Sequence, residues 1–321
     1  MRYDVFNGDA DGLCALQQLQ LTDPAPSTLI TDIKQTVRLV ERIQPPGGSV
    51  VTVLDVSFQD NREAVLRLLA QGTRVRYFDH HIPGEIPNHP LLETHIDTNP
   101  AVCTALLVNR HLKGRQARWA AVGAFGDNMA SPARNAVAHL NLTASDLAGL
   151  EELGTLLNYN GYGSALEDLH MHPLALYQAL HPHEDPLEFL HEAPEAQRLR
   201  DGFAEDMARA QGQTPALEAP EGRVYLFPHS SWARRVMGVF ANQLAKERPH
   251  QATAVGVTNA DGTLRMSVRA PLHRPQGADA LCRQFPQGGG RSGAGAVNAL
   301  PPSDLEVFLS SFRNAFPAIK K

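Results

Sequence analysis

Residues 74–81 read Arg74-Val75-Arg76-Tyr77-Phe78-Asp79-His80-His81. Arg74–Phe78 reads as a β-strand, and the strand closes on a carboxylate and two adjacent imidazoles. Open α/β sheets place their chemistry at the C-terminal ends of strands. Adjacent side chains diverge there, so one His can bind a metal while the other reaches a substrate. The pair alone says little in a chain with 14 His. Its weight comes from what surrounds it.

Upstream, Ser49–Val56 is dense in valine and reads as a buried parallel strand. Asp55 sits at its end, a costly place for an unpaired charge. A helix over Asn61–Gln71 joins these two strands. Before them come strand Thr28–Thr31, a helix over Thr36–Ile43, and the break Pro45-Pro46-Gly47-Gly48. The chain opens with strand Arg2–Phe6, the turn Asn7-Gly8-Asp9-Ala10-Asp11-Gly12, and a helix over Leu13–Leu21 with Leu13, Leu16 and Leu19 at helical spacing. A single Asp in that turn would read as a helix cap. Two Asp at i and i+2 with flanking glycines suit a divalent cation better. The alternation predicts an α/β fold with a doubly wound, mainly parallel sheet. Asp9/Asp11, Asp55 and Asp79/His80/His81 then stand at successive strand ends. Further on, Cys103–Leu112 and Arg118–Phe125 read as helices, and Asp127 follows the second. Asp is unfavourable at a helix C-terminus, so a compensating charge is expected nearby; a plain surface Asp is the other reading.

With 321 residues, 43% of them hydrophobic, the chain can bury a full core and should hold two domains. Cys14, Cys103 and Cys282 lie far apart with no CxxC pair, so neither a disulfide framework nor a thiolate zinc site is indicated. The first apolar run is broken by Asp4, which argues against a signal peptide, and no apolar run approaches membrane-spanning length. These features read as a soluble, cytoplasmic protein without a membrane partner. Net charge is −5, but residues 222–321 carry 13 Lys and Arg against 5 Asp and Glu, and residues 1–221 carry 16 against 29. An acidic body joined to a basic tail suggests a metal in one and an anion in the other, with ordinary surface variation as the alternative.

Thr143-Ala144-Ser145 precedes a leucine-rich helix expected to end near Leu157. After it come Asn158-Tyr159-Asn160-Gly161-Tyr162-Gly163 and Asp168-Leu169-His170-Met171-His172-Pro173. They read either as a polar helix end with a loop, or as a substrate wall in which Tyr stacks on bases and Asn reads their edges or phosphates. Pro194–Gly212 reads as a helical connector. A second domain follows: strand Arg223–Phe227, helix Trp232–Lys246, strand Ala252–Thr258, the hairpin signal Asp261-Gly262, strand Thr263–Ala270, and helix Ala278–Phe285. Then comes Gly288-Gly289-Gly290-Arg291. Three glycines let backbone N–H groups approach an anion; a flexible loop is the other reading. The expected division is 1–192, a helical linker over 193–221, and a smaller α/β domain over 222–321 across a cleft.

In order, Asp9-Ala10-Asp11-Gly12, Asp55, Asp79-His80-His81 and Asp127 resemble the four motifs of the DHH phosphoesterase family. Gly288-Gly289-Gly290-Arg291 and Ser267-Val268-Arg269 resemble the signatures of that family's associated C-terminal domain, so the resemblance covers nearly the whole chain. It implies a two-metal site, commonly Mn2+ with Mg2+ or Co2+ as alternatives, that hydrolyses phosphate esters. Carried over residue by residue, Asp55 would bridge both ions, Asp11, His80 and Asp127 would complete one, and Asp9 would hold the other. His81 would contact the scissile phosphate or protonate the leaving oxygen, with Asp79 orienting His80. Ser267, Arg269, Gly288, Gly289, Gly290 and Arg291 would bind substrate. Val5 stands where many members carry His, and Asn7 where others carry Asp, which leaves one metal with fewer protein ligands. Arg291 replaces the usual His, and Gly295-Ala296 reverses the usual order. The implied partner is a short nucleic acid or nucleotide (an oligonucleotide, dinucleotide or bisphosphonucleoside), and the resemblance admits a homodimer. A nucleotide-binding regulator with lost hydrolysis, and a pyrophosphatase or exopolyphosphatase, are the competing readings.

Overall fold

The valine-dense stretch becomes a central strand because β-branched side chains suit a pleated surface covered on both faces. In the computed structural model, which describes residues 1–318, contacts divide the chain into two units, Met1–Gly202 and Phe203 onward. The boundary falls inside the helix Pro194–Gln211.

Among the described residues of the first unit, β1 (Arg2–Phe6), β2 (Thr28–Ile30), β3 (Val50–Leu54), β4 (Arg74–Asp79) and β5 (Leu92–Ile96) form one sheet in the order β2-β1-β3-β4-β5. Every pairing in it is parallel. From β1 the chain goes outward to β2 and then returns to place β3 on the other side of β1. The strand order therefore reverses between β1 and β3, which is where open sheets leave a crevice. Phe6, Leu54 and Phe78 lie abreast, so the residues after them emerge together at one edge. Val5, Val51, Val53, Val75 and Tyr77 pack against Phe58, Val65 and Leu68 of the helix Phe58–Ala70. Each such burial contributes roughly 1.5–3 kcal/mol. The helix Ala10–Thr22 is buried on all sides from Ala10 to Gln20, and the Nε2 of its polar Gln18 donates to the Ala105 carbonyl at 3.0 Å. A Cβ at Gly126 would stand 2.3 Å from the Cβ of Ala10. This closeness brings the end of the helix Ala117–Gly126, and Asp127 after it, to the strand ends.

Two expectations need correction here. Residues 36–43 do not form a helix; a single 3-10 turn covers Val40–Arg42. Asn61 claims the backbone instead, donating to Val37 O at 2.6 Å and accepting from Val40 N at 3.1 Å. The helix expected to stop near Leu157 runs from Ala144 to Gly161, started by a reciprocal Thr143–Asp146 capping box. The edge strand β5 and the helix Ala130–Val137 gave no readable pattern.

Among the described residues of the second unit, β6 (Leu217–Ala219), β7 (Gly222–Phe227), β8 (Ala252–Thr258), β9 (Leu264–Arg269), β10 (Gly288–Arg291) and β11 (Ala294–Leu300) form a mixed sheet in the order β10-β11-β9-β8-β7-β6. Its core joins Val224, Ala254, Met266 and Val268 to Phe308 and Phe312 of the amphipathic helix Leu305–Ala315. The glycine run is not a loop. It is an edge strand, paired antiparallel from Gly288↔Val297 to Arg291↔Ala294. A Cβ at Gly288 would lie 1.8 Å from Cys282 O, whereas one at Gly289 would meet open space. The first glycine is thus required by packing, and the second leaves the strand's surface bare. Among the described residues, no helix is long and apolar enough to cross a membrane.

Candidate metal centre

The residues leaving β1, β3 and β4 meet Asp127 at the crevice edge. Asp9 caps the helix Ala10–Thr22, accepting from Asp11 N and Gly12 N at 3.1 Å each. Asp11, in the first turn of the same helix, reaches across to the helix Thr104–His111 and accepts from Thr104 N and Ala105 N, each at 2.7 Å. Its charge there complements that helix's N-terminus. Asp55 holds a left-handed backbone, φ 58°, a conformation Asp tolerates better than most residues. Its Oδ1 accepts from Thr104 Oγ1 at 3.2 Å.

His80 Nδ1 lies 3.1 Å from Val102 O. A carbonyl can only accept, so Nδ1 carries the proton and Nε2 presents a lone pair when the ring is neutral. That Nε2 lies 3.4 Å from Asp55 Oδ1 and 3.6 Å from Asp127 Oδ2. Acceptors facing acceptors at this spacing are what a cation between them would require. Two ligands about 2.1 Å from one octahedral ion stand about 3 Å apart. Asp11, His80 and Asp127 bring ligand atoms within 4.8 Å of one another, as do Asp55, His80 and His81.

Electrostatics point the same way. Burial, then repulsion from Asp11, Asp9 and Asp127, pushes the Asp55 carboxyl well above the ordinary range. Burial, followed by Asp127, raises Asp11 as well. Burial opposes ionisation of Asp9 most strongly, but the Lys34 ammonium, joined by hydrogen bonds from the Gly12 amide and with Asp55, holds this carboxyl below its ordinary value. The centre carries more negative charge than its own cations neutralise, and a bound divalent ion would reverse that balance. The donor set, carboxylates with one imidazole and no thiolate, suits a hard ion such as Mn2+ or Mg2+.

Asp79 was expected to orient His80. It serves His81 instead: Asp79 Oδ1 lies 2.7 Å from His81 Nδ1 and also accepts from the backbone N of His80 and His81. Val102 has taken the His80 ring. The side chain of His81 is 46% exposed, and its hydrogen bond to Asp79 makes the ring more basic than an ordinary histidine. Asp79 Oδ2 is buried and has no hydrogen-bond partner among the described residues.

Sequence reasoning missed Lys34. Its Nζ is paired with Asp9 Oδ2 and lies 3.3 Å from both Asp127 Oδ1 and Asn158 Oδ1. This is the compensating charge expected near Asp127. It sits in a polar turn after β2 with no motif around it; the need of Asp127 for a cation was the one available signal. Tyr162 faces the ammonium, 5.5 Å from its ring centroid. Tyr159 and Asn160 are fully buried and cannot form a base-stacking wall. Asn160 instead clamps the backbone of Met171 through bonds of 2.8 and 3.0 Å. His170 pairs with the Tyr159 hydroxyl at 2.5 Å, and His172 caps the helix Pro173–Leu180.

In the second unit, Arg269 Nε donates to Asn242 Oδ1 at 2.6 Å and its NH1 to Ser267 Oγ at 2.9 Å. The Ser-x-Arg pair on β9 is thus a connected group. Arg291 is exposed on the glycine strand β10.

No protein-family model and no curated protein matches the chain. Solved structures do. A manganese-bound RecJ exonuclease aligns at TM-score 0.59 and 17% identity, covering 99% of this chain and 91% of that one. The Mn2+ complex of RecJ from Thermus thermophilus aligns at 0.57 and 18%, over all of this chain but only 52% of its own length. The pGpG-specific phosphodiesterase PggH from Vibrio cholerae aligns at 0.58 and 13%, covering 99% of this chain and 100% of that one. The chain shares their two-sheet α/β fold, the fold that the resemblance to DHH phosphoesterases implied.

Proposed function

We propose that this chain is a divalent-metal-dependent phosphoesterase of the DHH type, acting on short oligonucleotides, dinucleotides or bisphosphonucleosides. The observation that carries the reading is the convergence of Asp11, Asp55, Asp127 and the Nε2 of His80 at the switch point, with charge left to neutralise. Those four side chains would hold a divalent ion, Mn2+ foremost, with Mg2+ and Co2+ as alternatives. When bound, such an ion supplies Lewis-acid stabilisation of phosphoryl charge and lowers the pKa of its water. His81, oriented through Nδ1 by Asp79, keeps Nε2 for the substrate and would protonate the leaving oxygen. The bare surface at Gly289, with Gly288, Gly290 and Arg291 on the same strand, and the Ser267–Arg269 pair would take a further phosphate. RecJ and PggH, whose names describe an exonuclease and a pGpG-specific phosphodiesterase, support a nucleotide substrate. Three free, buried cysteines suit a reducing compartment, so we assign the protein to the cytoplasm.

The test is a hydrolysis screen over short RNA, linear and cyclic dinucleotides, bisphosphonucleosides and polyphosphate, with Mn2+, Mg2+ or Co2+ and with a chelator. Turnover of a short nucleotide that stops on chelation is expected. Full activity in the chelated protein would remove the metal from the mechanism, and hydrolysis of polyphosphate alone would replace the substrate class.

A further inference from the structure

Lys34 is built into the centre on every side. An ammonium has three N–H donors, and the Lys34 ammonium has three acceptors: Asp9 Oδ2, Asp127 Oδ1 and Asn158 Oδ1. Its backbone is anchored by the bond from Lys34 N to Gly161 O, 3.1 Å. The Tyr162 ring covers it, and only 27% of the side chain is exposed. Among the described residues, no other lysine or arginine pairs with Asp9, Asp11, Asp55 or Asp127.

Asp127 divides the centre in two. Its Oδ1 faces Lys34, while its Oδ2 faces His80 Nε2; Asp55 lies between the two, beside both His80 and Asp9. On the Lys34 side, both Asp9 oxygens are spoken for, one by backbone amides and one by the ammonium. Among the described residues, the groups of three whose ligand atoms lie within 4.8 Å of one another include Asp11, His80 and Asp127, and Asp55, His80 and His81; Asp9 is in neither, and lies beside Asp55. A divalent ion between Asp9 and Asp127 would have to displace a cation whose hydrogen bonds are all satisfied. On the other side, among the described residues, no lysine or arginine pairs with Asp11 or Asp55.

We propose that the Lys34 ammonium is the permanent second cation of this centre, filling the place between Asp9 and Asp127, so that each chain holds a single exchangeable divalent ion on Asp11, Asp55, His80 and Asp127. This rests on reading the site as a metal centre, and it replaces the two ions implied by the family resemblance with one ion and one lysine. Lys34 is thereby a positioning residue for Asp9 and Asp127.

Counting bound Mn2+ tests the proposal without using activity. Free Mn2+ is followed by electron paramagnetic resonance during titration, and retained metal is measured after gel filtration, with folding checked by circular dichroism. One ion per chain is expected for the wild type and for Lys34→Arg, and two for Lys34→Met, whose side chain matches lysine in length without charge. Two tightly held ions in the wild type would overturn the proposal even if Lys34→Met failed to fold. So would an equal, non-zero count in the wild type and a folded Lys34→Met. No bound Mn2+ in any of the three proteins would overturn the reading of the site as a metal centre together with the proposal.

Discussion

His80 Nε2 lies 3.4 Å from Asp55 Oδ1, although the two residues leave different strands. The Val102 carbonyl fixes the other ring nitrogen as a donor, so this contact places a lone pair against a carboxylate. Neither group can satisfy the other while the ring is neutral. Both can be satisfied by one cation, and the consequences can be measured.

Asp55→Asn removes a ligand while retaining a side chain that tolerates the left-handed backbone at φ 58°. Turnover should fall at least a thousandfold, about 4 kcal/mol of barrier. Asp55 is buried and repelled by Asp11, Asp9 and Asp127. The chelated variant should therefore melt no lower than the chelated wild type, and should lose most of the rise in Tm that Mn2+ produces. A clearly less stable metal-free variant would mean that Asp55 is a structural anion.

His81→Gln should lower kcat about 10²–10⁴-fold on nucleotide substrates, the usual worth of a general acid. An aryl phosphate ester whose leaving group needs no proton should lose far less. Equal losses on both would give His81 a role in binding the phosphate. Asp79→Asn should follow the same pattern with a smaller effect, since Asp79 acts through His81.

Arg291→Ala should raise KM for an oligonucleotide several-fold and leave kcat nearly unchanged, because an exposed phosphate contact adds uniform binding. The defect should shrink as salt rises. A small phosphoester without a second phosphate should not register the change. A loss of kcat on that small substrate would argue against the assigned role.

The Cys282 thiol is buried and raised from 9.0 to about 11, first by burial and then by Asp279. A group whose folded pKa lies above its unfolded one contributes stability that is complete below the unfolded value and is lost as pH rises through the folded value. Stability should therefore fall between pH 9.0 and about 11, and fall less in Cys282→Ser. At about pH 8, below the ordinary thiol range, iodoacetamide should leave all three buried cysteines unlabelled until denaturant is added. Rapid native labelling of Cys282 would contradict its burial.

Much of the first unit is legible because its signals are local. Valine density marks β3 and a carboxylate marks its end; the alternation of strands and helices then forces a parallel sheet with Asp9, Asp55 and Asp79 at one edge. The stretch over 36–43 misled because its pattern is helical while the side chain of Asn61 takes over its backbone bonds. The glycine run misled in the opposite sense. Glycine's freedom suggests a loop, but the crossing of the helix Ala278–Cys282 leaves no room for a Cβ at Gly288, and a strand forms there without one.

Local pattern in the chain is enough to specify the strands, the carboxylates and imidazoles, and their places at strand ends, since each depends on neighbours a few positions away. How those groups are shared among partners is settled by the folded molecule. Asp79 goes to His81 because Val102 takes the His80 ring. Lys34 becomes part of the centre through Asp9, Asp127 and Asn158, which lie 25, 93 and 124 positions away. No periodicity reports contacts at such separations. They exist because β2, the helix Ala117–Gly126 and the helix Ala144–Gly161 all end at the same crevice, and a buried excess of carboxylates draws in the Lys34 ammonium.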